Sequence, residues 1–121
     1  MVQTTRKILL IPDTDENVAG LITQLGRSVF DLTVAEDAAD GIKCLANHRY
    51  DILIANPFTD DELEQTLLSA RTFHPDLEMI MYAAAGDVDR LAQQYKSRMF
   101  ACHCLPLNEQ VVGISVAQAA R

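Results

Sequence analysis

The chain has 121 residues, 49% of them hydrophobic, which suits one globular domain around one core. Its apolar runs are too short to cross a membrane, and a net charge of −7 argues against the basic footprint that nucleic acid needs. Three cysteines, Cys44, Cys102 and Cys104, are an odd number without framework spacing, so reduced thiols in a cytoplasmic protein are expected.

The first residues lead directly into Lys7-Ile8-Leu9-Leu10-Ile11, an apolar run that predicts a first strand and is too short for a signal-peptide core. Pro12-Asp13-Thr14-Asp15-Glu16 ends it. Asp13, Thr14 or Asp15 can cap the next helix, and acidic residues suit its first turn. Val18, Leu21, Ile22 and Leu25 recur at helical spacing up to Gly26. Phe30, Leu32 and Val34 alternate with Asp31 and Thr33, so residues 29–35 predict a half-exposed edge strand. Ala38, Ile42, Leu45 and Ala46 form the stripe of a second helix, which ends at Asn47-His48-Arg49.

The stretch Tyr50-Asp51-Ile52-Leu53-Ile54-Ala55-Asn56-Pro57 organises the rest. Its short apolar run, closed by Pro57, reads as a strand buried on both faces, as in parallel sheets covered by helices. Ligands in such sheets bind beyond the carboxyl ends of the strands, where Asn56 stands. An amide is a poor residue for chemistry.

Phe58-Thr59-Asp60-Asp61 predicts a loop and helix start, with Leu63, Leu67 and Ala70 facing inward. Residues 77–82 predict a fourth strand. Asp87 is the expected cap of a fourth helix with Val88, Leu91 and Tyr95 on its core side. Residues 99–104 predict a fifth strand. Asn108 is the expected cap of a last helix of about three turns bearing Val111, Val112, Ile114, Ser115 and Ala119. Five strands alternating with five helices call for an α/β, doubly wound, right-handed parallel sheet.

In this order the chain resembles a receiver domain of two-component response regulators. The likeness is carried by Lys7-Ile8-Leu9-Leu10-Ile11 before an acidic turn and by Ala35-Glu36-Asp37-Ala38-Ala39-Asp40-Gly41. It is carried further by Tyr50-Asp51-Ile52-Leu53-Ile54, by Met79-Ile80-Met81-Tyr82-Ala83-Ala84-Ala85-Gly86-Asp87 and by Leu105-Pro106-Leu107. The resemblance implies a flavodoxin-like sheet of order 2-1-3-4-5 and one receiver-like domain over residues 1–121. The capless Ala-Gln-Ala-Ala-Arg ending fits the N-terminal part of a longer regulator.

Receivers take a phosphoryl group from a histidine kinase onto an Asp at the end of the third strand, aided by a divalent cation and a Lys. Carried over position by position, the resemblance implies a degenerate site. Asn56 stands at the phosphoacceptor, Pro12 at the first of two acidic positions beside Asp13, Ala83 at the hydroxyl residue, and Leu105 at the Lys. Cys102 stands at the switch aromatic. Asp13 alone is a weak cation ligand, so no Mg²⁺, no other cofactor and no enzyme activity are expected. Leu105-Pro106 is expected to be cis by resemblance.

Each signal has a plainer reading beside it. Asn56 is also a common strand-end turn residue, and Asp13 suits a helix cap. On a strand, Cys102 and Cys104 point one way and His103 the other, so the three cannot easily close round one metal, and buried thiols packing as small apolar groups are expected. Asp60, Asp61, Glu62 and Glu64 read as a solvated helix start.

The leading expectation is a pseudo-receiver: a signal-transduction module that binds proteins independently of phosphorylation. The resemblance places partners, or a homodimer, on the face of the fourth helix, fifth strand and fifth helix. The alternatives are a weakly phosphorylated receiver using Asp13, Asp60 or Asp61, and a flavodoxin-like binder of an uncharged ligand in a cleft lined by Pro12, Asn56, Ala83 and Leu105.

Overall fold

A computed structural model describes residues 6–12, 15–26 and 30–120. Asp13 and Thr14, and the first residue of the expected strand 29–35, lie outside the described residues. The order is β1 (Lys7–Ile11), α1 (Asp15–Gly26), β2 (Asp31–Val34), α2 (Ala38–Asn47), β3 (Ile52–Ala55), α3 (Asp61–Phe73), β4 (Glu78–Ala83), α4 (Val88–Tyr95), β5 (Met99–Cys104) and α5 (Glu109–Ala119). The strands form one sheet in the order β2-β1-β3-β4-β5, with every pairing parallel. This is the doubly wound, flavodoxin-like arrangement that the alternation of elements and the resemblance implied.

The sheet divides the core in two. In β3, Leu53 and Ala55 point into one apolar cluster with Leu45, Leu63, Leu67, Leu91 and Tyr95. Ile52 and Ile54 point into the other, with Leu21, Leu25, Val112 and Val116. In β1, Leu9 and Ile11 share the first cluster while Ile8 and Leu10 share the second. A strand covered on both faces needs apolar residues at every position, which is why these two runs are continuous rather than alternating. Edge strand β2 instead shows intermediate and exposed residues, and Val34 is 39% exposed.

Asp51 ties the amino ends of the central strands together. Its carboxylate accepts the Lys7 amide at 2.8 Å, and its backbone bonds both Lys7 O and Glu78 N. The helix starts follow their caps. Asp37 accepts the Asp40 amide at 2.8 Å, Asp60 the Leu63 amide at 2.9 Å, and Asn108 the Gln110 and Val111 amides at 3.0 and 3.1 Å. Asp87 departs from expectation. It stands at the start of α4 but its side chain makes no cap bond, because a 3₁₀ turn (Ala85–Asp87) runs straight into the helix and Asp87 is already in the αR region. Ala46, expected inward, is exposed: Gly41 and Leu45, four apart, hold the centre of the α2 stripe. No described helix is long and apolar enough to cross a membrane.

Gly41 marks the closest approach of α2 to the sheet. A Cβ there would lie 2.5 Å from Ile11 Cδ1 and 2.7 Å from Ile11 Cγ1, and Ile11 is itself buried. At Gly26 a Cβ would meet nothing within 4 Å. Gly41→Ala is therefore expected to lose about 1–3 kcal/mol through overpacking, whereas Gly26→Ala should stay within about 0.5 kcal/mol or gain slightly. Urea unfolding of both variants, followed by far-UV circular dichroism, checks the contrast.

Candidate functional site

The strand order reverses between β1 and β3, the topological switch point where such sheets usually bind ligands, and the carboxyl ends of β4 and then β5 follow along the same end of the sheet. Pro12, Asn56, Ala83 and Leu105 occupy these ends. Asn56 is 8% exposed, one of two buried polar residues in the described core. Its Oδ1 accepts the Phe58 amide at 3.0 Å, and its carbonyl accepts the Thr59 hydroxyl at 3.2 Å. The amide thereby caps a 3₁₀ turn (Pro57–Thr59) in which Pro57 is buried at the first position. The side chain folds back onto its own loop because Asn readily mimics a turn and the ring of Pro57 fixes its own φ at a value that suits the first position of the turn.

Ala83 is fully buried. Leu105 donates its backbone amide to Ala83 O at 2.9 Å, and its side chain packs against the cluster beneath α1 and α5. The Leu105-Pro106 bond is cis, as the resemblance implied. Pro12, Ala83 and Leu105 carry no side-chain oxygen or donor, so these four positions together supply one amide. Among the described residues no group of three or more His, Cys, Asp and Glu could hold a metal ion. Divalent cations favour carboxylate oxygens; these four positions bring none, and Asp13 lies outside the described residues.

The loop after Asn56 is bound to α4 by contacts that sequence spacing does not reveal. The Arg90 guanidinium lies 4.1 Å from the centre of the Phe58 ring, and Tyr95 meets that ring edge-on at 6.5 Å. Arg90 also pairs with Glu64 at 3.4 Å, and the Tyr95 hydroxyl donates to Glu64 O at 3.2 Å. Four side chains from the loop, α3 and α4 thus form one clasp. Burial, and secondarily the charge of Glu64, push the Tyr95 phenol up to about 12. Phe58 and Arg90 offer no motif; only their shared hydrophobicity and charge with distant partners brings them together.

The remaining candidates separate. Asp60 caps α3, Asp61 and Glu62 are exposed on its first turn, and Glu64 belongs to the clasp. Cys102, at the switch-aromatic position, is half-buried against the α2–α4 side of the sheet, and burial pushes its thiol up. His103 turns the other way, and its Nε2 lies 3.0 Å from Ser115 Oγ on α5. The expectation of buried thiols fails at Cys104, which is exposed at the end of the edge strand.

No protein-family model and no curated protein matches the sequence. Solved structures do match. A response regulator from Thermotoga maritima superposes with a TM-score of 0.79 at 15% identity, covering 96% of this chain and 98% of that one. A response regulator receiver domain protein (CheY-like) from Methanospirillum hungatei gives 0.80 at 16% identity, covering 95% and 93%. The fold is that of a receiver domain. The same fold is found in a structure of an adenylate cyclase from Rhodopirellula baltica, with a TM-score of 0.81 at 15% identity over 96% and 87% of the two chains. At such identities the receiver fold is shared, while the site must be judged from its own residues.

The clasp yields a pH-dependent prediction. A phenol whose folded value lies near 12 rather than 10.0 favours the folded state below pH 10 and loses that contribution as pH rises towards 12. Tyr95→Phe should be less stable at pH 7 by about 0.5–1.5 kcal/mol, for the lost hydrogen bond. It should also lose less stability than wild type between pH 10 and 12. Urea titrations of both proteins across that range check the two signs.

Proposed function

We propose that this chain is a pseudo-receiver, a regulatory domain that works through protein contacts and does not take up phosphate. The observation that carries this reading is the state of Asn56. A phosphoacceptor has to present a charged carboxylate oxygen to the phosphoryl donor. Asn56 presents a neutral amide whose oxygen already accepts the Phe58 amide at 3.0 Å. Around it, Pro12, Ala83 and Leu105 offer neither the negative oxygens a cation needs nor the donors that would neutralise a transferred phosphoryl group. Without the cation and the cationic side chain, several kcal/mol of charge stabilisation are missing from that reaction.

The clasp supports the same reading. In this reading α4 is held against the loop by Phe58, Arg90, Tyr95 and Glu64, so its position does not depend on a charge arriving at the crevice. Partners, or a second copy, would engage the face of α4, β5 and α5, on which Phe100, Val111 and Ile114 are 42%, 47% and 58% exposed. We read residues 1–121 as one domain of a cytoplasmic regulator, without a catalytic role or a cofactor. A net charge of −7 disfavours nucleic acid as the direct partner.

Incubation of the full chain with acetyl phosphate and Mg²⁺ tests this reading. The intact mass should remain unchanged and the elution volume on size exclusion should not shift. A phosphoryl adduct mapped to Asp13, Asp60 or Asp61 would instead favour a weakly active receiver with a displaced acceptor.

A further inference from the structure

Core packing accounts in part for Cys102 but not for the exposed thiol of Cys104 at the end of β5. Cys102 and Cys104 stand two residues apart in one strand, so their side chains leave the same face, while His103 between them turns to α5. Cys102 is half-buried and Cys104 exposed, so the second is the one open to a reagent. β5 is also the edge strand, hydrogen-bonded to β4 alone. Its pairing already departs from a regular ladder, with a register shift between Met79 and Ile80. An edge strand can pucker without breaking a second ladder, which an inner strand cannot.

We propose that Cys102 and Cys104 form a reversible dithiol–disulfide pair, a modification site whose oxidant is a low-molecular-weight disulfide. Alternate residues of a strand are about 6.6 Å apart at Cα, near the upper limit of about 6.8 Å for a disulfide, but their parallel side chains leave the Cβ atoms about as far apart, where a disulfide needs about 3.5–4.5 Å. The bond therefore requires β5 to twist out of its extended form at its carboxyl end, where Cys104 is the last residue. Strained, exposed disulfides are readily reduced again, which suits a switch and not a permanent staple.

The step balances as two exchanges. The Cys104 thiolate attacks one sulfur of the oxidant, whose S–S bond breaks, and one small thiol leaves. The Cys102 thiol then gives up its proton and attacks the Cys104 sulfur, expelling the second small thiol. Two electrons and two protons pass to the oxidant, and the protein becomes lighter by two hydrogens. The order follows from exposure, and burial and the neighbouring Cys104 both push the Cys102 thiol up, which disfavours it as the first attacker. The twist would be felt beyond the strand, since His103 bonds Ser115 and the Leu105 amide bonds Ala83 O.

This inference stands on β5 alone and survives or fails independently of the crevice. The full chain is incubated with oxidised glutathione and digested with trypsin, which separates Cys44 from the fragment 99–121 that holds both β5 thiols. Wild type should yield that fragment lighter by two hydrogens, restored by dithiothreitol, and amide NMR signals of His103 and Ser115 should move with it. Cys102→Ser should stop at a glutathione adduct on Cys104, and Cys104→Ser should react about tenfold more slowly or less. A lasting glutathione adduct on wild type, a link to Cys44, a disulfide-bonded dimer, or no reaction would each overturn the proposal.

Discussion

Burial of β3 on both faces is the constraint from which the architecture follows. Ile52, Leu53, Ile54 and Ala55 are each at most 1% exposed, and they alternate between two separate apolar clusters. Such a strand is stable only when helices cover both sides and parallel neighbours satisfy its backbone, so the order β2-β1-β3-β4-β5 and the two helical layers come as one package. Its two ends are then fixed by polar residues. Asp51 binds the Lys7 amide at the amino end, and Asn56 caps the loop at the carboxyl end.

That geometry puts the switch-point crevice at Asn56, and the chemistry there is decided by charge. Asn56, Ala83, Leu105 and Pro12 bring one amide and no charged side chain to these strand ends. The loop that follows Asn56 is engaged in packing. Phe58 carries the contact from Asn56 to Arg90 and Tyr95, so this loop is a strut between β3 and α4.

At the far edge of the sheet the situation reverses. β5 has one neighbour, a bulged register, a half-buried thiol and an exposed one. Two thiols, one of them exposed, thus stand at the edge of the sheet beside α4 and α5. Chemistry on that strand would reach α5 through His103 and Ser115 without passing through the crevice.

Much of this was legible in the chain itself. Continuous apolar runs at Lys7–Ile11 and Ile52–Ala55, the helix start at Asp60-Asp61, the cap Asn108 and the alternation of elements set the fold, because burial on two faces and unsatisfied helix amides each leave a local mark on residue choice. That Asn56, Ala83 and Leu105 are uncharged was legible too, since charge is a property of the side chain wherever it sits. Three things required the tertiary structure: the clasp between Phe58 and α4, the uncapped start of α4, and the exposure of Cys104. Each depends on which distant elements pack together or fail to, and that information is carried by long-range contacts and not by any local pattern of residues.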